Sequence, residues 1–151
     1  MEGRDKIIRN AASKFISDCL SENIKPTFTA WEKAIGKPRM SQSDRWKNRP
    51  CVNNYWAYKN EINILLWSQG VKLPKNPQQI VIICYIEHPV SWPQKKSAEK
   101  HYTQHDQKPD CDNIEKGILD ILFKEDKAIF CTTTLKFWCD KDEERIEVYI
   151  R

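Results

Sequence analysis

No run of apolar residues in this chain approaches the ~20 that a membrane-spanning helix requires, so a helical membrane protein is excluded. Residues 1–9 are charged throughout and hold no apolar signal core, which argues against export and for a cytoplasmic protein. No Cys-x₂-Cys pair exists among the six cysteines. A zinc module would have to draw on His101-x₃-His105 with Cys111, Cys131 and Cys139, and that spacing is too loose for one. Cys84 lies inside an apolar run, and Cys131 and Cys139 lie inside a strand-like run. They read as reduced thiols acting as small buried hydrophobes in a reducing compartment. Internal repeats and low-complexity segments are also absent.

What is there is one domain's worth of chain. A protein of 151 residues can bury about 70% of its unfolded surface. An apolar fraction of 40% beside a charged fraction of 30% marks it as a soluble globular fold rather than a disordered one. The net charge of +4 is mild, and its distribution is more informative. Lys37, Arg39, Arg45, Lys47 and Arg49 crowd one segment against a single acid, Asp44. Lys95, Lys96, Lys100, His101, His105 and Lys108 crowd a second, while the tail beyond Asp140 is acidic. Two basic segments on a small domain point to a polyanionic partner, although a solvated surface has the same composition.

Hydrophobic periodicity orders the elements. Ile8, Ala12, Phe15, Ile16 and Cys19 recur at helical spacing over residues 4–22, and Pro26 closes that helix off. A short strand is expected at residues 27–31, followed by a basic, aperiodic stretch over residues 36–50. Asn53 is suited to cap a second helix carrying Tyr55, Tyr58, Ile62, Leu65 and Leu66 on one face, with Gly70 ending it. Residues 80–86 form an apolar, β-branched run that reads as a central strand buried on both faces. Residues 88–109 lack periodicity and read as a long loop, of a length that is usually either functional or disordered. Asp112 is placed to cap a third helix over residues 113–123, and strands follow at 128–139 and 145–150. This order predicts an α/β (α+β) fold: a mixed sheet of about four strands packed against helices, with an extra N-terminal helix.

The densest chemistry is the segment Lys108-Pro-Asp-Cys-Asp-Asn-Ile-Glu-Lys116, followed by Asp120 and Glu125-Asp126. Asp110 and Asp112 are two apart in extended chain, so their carboxylates can point to one side. Pro109 keeps Lys108 out of helical geometry. If Asp126 joins them, two unit charges about 4 Å apart repel by roughly 4 kcal/mol at an effective dielectric near 20. A divalent cation or raised pKa values would offset this. Carboxylates without a histidine-cysteine cluster favour a hard ion, Mg²⁺ or Mn²⁺. For Asp112 alone, a helix N-terminus is the better explanation, but it accounts poorly for Asp110 and not at all for Asp126.

The same residues resemble the signature of RusA-type Holliday junction resolvases. That pattern runs Pro-Asp-x-Asp-Asn-x-x-Lys, then an acid four residues later, an acid beyond the helix and a lysine in the next strand. Here it reads Lys108-Pro-Asp110-Cys-Asp112-Asn-Ile-Glu-Lys116, Asp120, Glu125-Asp126-Lys127-Ala-Ile129 and Lys136. Gly36-Lys-Pro-Arg39 and Ser91-Trp-Pro-Gln-Lys-Lys96 resemble further family segments. The likeness spans roughly residues 27–150, so the chain divides into an N-terminal amphipathic helix at 1–26 and a RusA-like endonuclease domain at 27–151.

The resemblance implies a homodimer that grips a four-way DNA junction and nicks two strands symmetrically, in a protein of bacterial or phage origin. By position, Asp110, Asp112 and Asp126 match the metal-binding catalytic acids, and Lys116 matches the catalytic lysine. Mg²⁺ is the implied cofactor, with Mn²⁺ able to substitute. Asp120 is expected to pair with Lys116 rather than to ligate metal. Lys37, Arg39, Arg45, Lys47, Arg49, Lys95, Lys96, Lys108 and Lys136 are the candidate phosphate contacts. Trp46 and Trp92 sit in these basic stretches, where they either stack on unpaired bases or anchor loops on the core. Two alternatives share these features: a non-catalytic protein that binds branched DNA, and a nuclease for flaps or forks. A nuclease type that needs an acid-x-lysine element fits less well, because Glu115 and Lys116 are adjacent.

Overall fold

The computed structural model describes residues 2–151, and the side chains of Glu2, Asp5 and Ile8 lie outside the described residues. The place of Ile8 on the first helical face is therefore not among them. In chain order the elements are α1 (Glu2–Leu20), β1 (Phe28–Ala30), α2 (Pro50–Ser68), β2 (Gln79–Glu87), α3 (Gln94–Lys100), α4 (Cys111–Leu122), β3 (Cys131–Cys139) and β4 (Arg145–Ile150), with a 3₁₀ turn at Gln42–Arg45 between β1 and α2. The strands form one four-stranded sheet in the order β1-β4-β2-β3. Strands β2 and β3 run parallel, and β4 is antiparallel to both β2 and β1. This is the expected mixed α+β sheet.

The alternation of side chains along each strand sorts the core into two faces. Ile80, Ile82, Cys84 and Ile86 of β2 join Ile146 and Val148 of β4 on one face. There they meet Tyr55, Tyr58 and Ile62 of α2 and Ile114, Ile118, Leu119, Ile121 and Leu122 of α4. Val81 and Ile83 of β2 and Tyr149 of β4 occupy the other face, against Cys19, Phe15 and Ile16 of α1. Strand β2 is thus covered on both sides, which is why its sequence is a continuous apolar run rather than an alternating one. The N-terminal helix forms a third layer, and the Gln79 side-chain amide donates to the Ala12 carbonyl at 3.1 Å.

Several boundaries differ from the sequence expectation. Helix α2 starts at Pro50 rather than after Asn53, because Arg49 takes the cap position and proline is well suited to the first helical residue. Gly70 ends it as expected, in the left-handed region at φ 61°. Helix α4 starts at Cys111 with Asp110, not Asp112, at the cap position. Strand β3 begins at Cys131, three residues later than its apolar pattern suggests. The long loop at 88–109 contains α3, whose one buried residue is Ser97 and which therefore carries no apolar stripe to reveal it. After α3 the chain pairs with the outer edge of β3: Tyr102 N donates to Trp138 O, Trp138 N to Thr103 O and His105 N to Lys136 O, at 2.8, 2.9 and 3.0 Å. That pairing delivers Pro109 and Asp110 to the start of α4.

Candidate active site

The site is built around the N-terminal turn of α4, and three neighbours fix where that turn lies. Glu115 accepts hydrogen bonds from Thr132 Oγ1 at 2.8 Å and Thr134 Oγ1 at 3.0 Å, which ties the helix to β3. Lys136, one step further along the same strand face, donates to the carbonyls of Gln107 at 2.6 Å and Pro109 at 2.8 Å. On the opposite side, residues 35–37 lie close against the helix, with Lys37 N donating to Asn113 O at 3.1 Å. A Cβ at Gly36 would stand 3.3 Å from both the Asn113 and Pro109 Cβ atoms, so the absence of a side chain there permits the approach. Tyr55 of α2 completes the frame by donating to Gly117 O at 3.2 Å. Its hydroxyl pKa is pushed up to about 12 by burial and by the nearby Asp120 charge, so it stays a donor.

Within this frame Asp112 and Lys116 form an ion pair one helical turn apart, at 3.8 Å, with both side chains about two-thirds exposed. They line a cleft of about 600 Å³ together with Lys37, Pro38, Arg39, Met40 and Asn113. Asp110 has the backbone of a helix cap but makes no capping hydrogen bond through its carboxylate. The donors that converge here are carboxylate and amide oxygens beside lysine and arginine, a set that fits a hard divalent ion and a phosphate rather than a thiophilic metal.

Other predicted residues fall elsewhere. Asp126 is exposed in the segment after α4, which is ~18 Å long at 1.5 Å per residue. It does not join Asp110 and Asp112 in a close group. Among the described residues, the group of three possible ligands with atoms within 4.8 Å of one another is His101, Asp140 and Glu143. Asp120 pairs with Lys37 and not with Lys116. The sequence could not reveal this partner, which lies 83 residues away across the α2 side of the sheet.

The basic residues differ in exposure and in what they contact. Arg39, Arg45, Lys47, Lys95, Lys96 and Lys108 are exposed. Arg49 is committed: its guanidinium donates to both Asp44 oxygens at 2.6 and 2.7 Å and to the Arg39 carbonyl at 2.9 Å. That interaction holds the Asp44 carboxyl well down, at about 2. Lys136 is likewise engaged with backbone carbonyls. Trp92 packs on Trp138 with ring centroids 4.7 Å apart and under the Lys96 ammonium, so it anchors its loop. Trp46 is 71% exposed. His105, which sequence spacing grouped with His101, is instead buried against the Trp138 ring. Burial, and then the Lys136 charge, lower its pKa. All six cysteines are free thiols.

Residues 32–151 match the family model of the endodeoxyribonuclease RusA. The chain belongs to the RusA family. It is therefore an endodeoxyribonuclease, of a family that resolves Holliday junctions. The match takes in α2, the whole site around α4 and three of the four strands, and leaves α1 and β1 outside it. No curated protein and no solved structure matches the chain. Among the described residues, no helix of the RusA-family chain is long and apolar enough to cross a membrane.

Proposed function

We propose that this chain is a Mg²⁺-dependent resolvase that cuts four-way DNA junctions by paired, symmetric nicks, working as a homodimer in the cytoplasm. The observation that carries the reading is the cleft at the start of α4, where Asp112 and Lys116 stand beside Lys37 and Arg39. Asp110 and Asp112 would hold the ion, and Asp126 enters as the third acid through the family pattern. When bound, the ion supplies a nucleophilic water near neutral pH and charge neutralisation at the phosphate. Lys116 stabilises the developing negative charge or the leaving oxygen. Arg39, Arg45, Lys47, Lys95, Lys96 and Lys108 neutralise flanking phosphates, which makes affinity fall with salt. Lys136 acts on the site from behind, by holding the Pro109 carbonyl next to Asp110. An exposed apolar stripe on α2, comprising Trp56, Ile64 and Trp67, supports a second copy as partner.

The test compares a labelled four-way junction with linear duplex, with and without Mg²⁺. Junction-selective cutting that requires the ion is expected, as is its loss in Asp110→Asn, Asp112→Asn and Asp126→Asn with binding largely kept. Cutting retained by two of the three variants would reject the acid assignment. Junction binding in EDTA with no cutting after Mg²⁺ is restored would leave a non-catalytic binder. Preference for flaps or forks would keep the enzyme class and change its substrate.

A further inference from the structure

Four of the six tryptophans have a ring or cation partner within the molecule. Trp92 and Trp138 pack on each other, Trp56 lies beneath the Lys59 ammonium, and Trp31 lies beneath the Arg145 guanidinium. Among the described residues, Trp46 and Trp67 are left without such a contact, at 71% and 86% exposure. Their surroundings differ. Trp67 stands on the apolar α2 stripe, one helical turn from Ile64. Trp46 stands between Arg45 and Lys47, both exposed, on the loop that joins the cleft to α2. An indole held in water between two cations suits a partner that is both planar and negatively charged, and nucleic acid combines the two properties.

The loop fixes the backbone of Trp46 although its ring is in water. At the loop's root, Lys37 N donates to Asn113 O at 3.1 Å and Met40 packs against the core. The Arg49 guanidinium closes the loop by joining the Asp44 carboxylate to the Arg39 carbonyl. Inside it, Ser41 N donates to Asp44 Oδ2 at 2.6 Å, while Trp46 N and Lys47 N both donate to Ser43 O, at 3.2 and 2.9 Å. The backbone that carries the ring is therefore ordered before any ligand arrives, which lowers the entropy cost of binding through it. Arg39 and Met40 line the α4 cleft. Trp46 follows Met40 by six residues, a reach of at most ~20 Å at full extension, and the Arg49 bridge shortens it. We infer that Trp46 stacks on a base left unpaired or unstacked at a DNA branch point, with Arg45 and Lys47 on the flanking phosphates. The interior of linear duplex presents no such base, so the stack favours branched over linear DNA. The inference rests on the branched-DNA reading of the cleft.

The test measures binding of the full chain, in EDTA, to a four-way junction and to linear duplex of the same sequence. Wild type is compared with Trp46→Ala, Trp46→Leu and Trp46→Phe. Trp46→Ala and Trp46→Leu are expected to lose about fivefold to a hundredfold in junction affinity, the range for one base–aromatic stack, with duplex affinity nearly unchanged. Trp46→Phe should recover part of that loss, because it restores a ring. The salt dependence of junction binding should be the same in all four, since no charge is altered. Junction should quench tryptophan emission more in the wild type than in Trp46→Phe. Circular dichroism and sedimentation of the free chain should not change. The stack is overturned, and the branched-DNA reading kept, if the wild type prefers the junction and Trp46→Ala keeps the same preference. It is also overturned if Trp46→Leu binds the junction as well as Trp46→Phe does. A change in sedimentation of Trp46→Ala would overturn it too, by placing Trp46 in a contact between copies. A wild type that binds junction and duplex alike overturns both the stack and the reading beneath it.

Discussion

Lys136 shows how a residue's chemistry depends on neighbours that the sequence does not name. Its type and strand position suit a phosphate contact, yet its ammonium is held by the carbonyls of Gln107 and Pro109. Lys136→Met should therefore cost about 1.5–3 kcal/mol in a urea melt, the range for hydrogen bonds to a charged group. It should also lower turnover more than junction affinity. Lost affinity with unchanged stability would return Lys136 to the phosphate contacts. Asp44 offers a pH test. Its carboxyl is held near 2 by Arg49, below its ordinary 3.8. A depressed acid stabilises the fold above its unfolded pKa, and that contribution fades as pH falls from about 4 to 2. NMR titration of Asp44 should give a midpoint near 2, and Arg49→Gln should return it toward 4. An unshifted midpoint in the native chain would mean that the loop at residues 41–49 is not held by this pair.

Among the elements, α1 and α4 differ in how clearly the sequence marks them. Helix α4 has a full apolar stripe, Ile114, Ile118, Ile121 and Leu122, and its extent was legible to within two residues at its start. Helix α3 was not legible, because pairing with β3 positions the segment that follows it and the helix itself buries only Ser97. Helix α1 was legible as amphipathic, but its sequence does not say what it covers. We propose that it is a layer added to the endonuclease domain rather than an independent unit. A chain lacking residues 1–20 would expose Val81, Ile83 and Tyr149. At about 1.5–3 kcal/mol per large apolar side chain, the loss should be at least about 3 kcal/mol. It should be read as a fall in Tm of about 6 °C or more, with increased binding of a hydrophobic dye. An unchanged Tm would make α1 a passive appendage.

At the scale of the whole molecule, paired nicking needs two active sites held in a fixed relation, and the α2 stripe is the surface proposed to provide it. Trp67 is 86% exposed and Ile64 is 64% exposed, an arrangement that leaves large apolar area in water unless a partner covers it. Trp67→Glu should turn a dimer into a monomer in sedimentation and reduce coordinated double nicking to single nicks. A chain that is dimeric with or without the substitution would place the interface elsewhere.

What the sequence determined by itself was local: the run of β2, the stripe of α4, the glycine that ends α2 and the acidic motif that carries the family likeness. Each is set by periodicity, backbone preference or spacing over a few residues. Only the tertiary structure decided which charges meet, and the farthest of those pairings joins residues 83 positions apart. It moved Asp120 to Lys37, committed Arg49 to Asp44, separated His105 from His101 and set His101 beside two acids of the β3–β4 turn. Side-chain pairing of this kind follows from how the sheet edge and the helices pack, and no pattern along the chain encodes it.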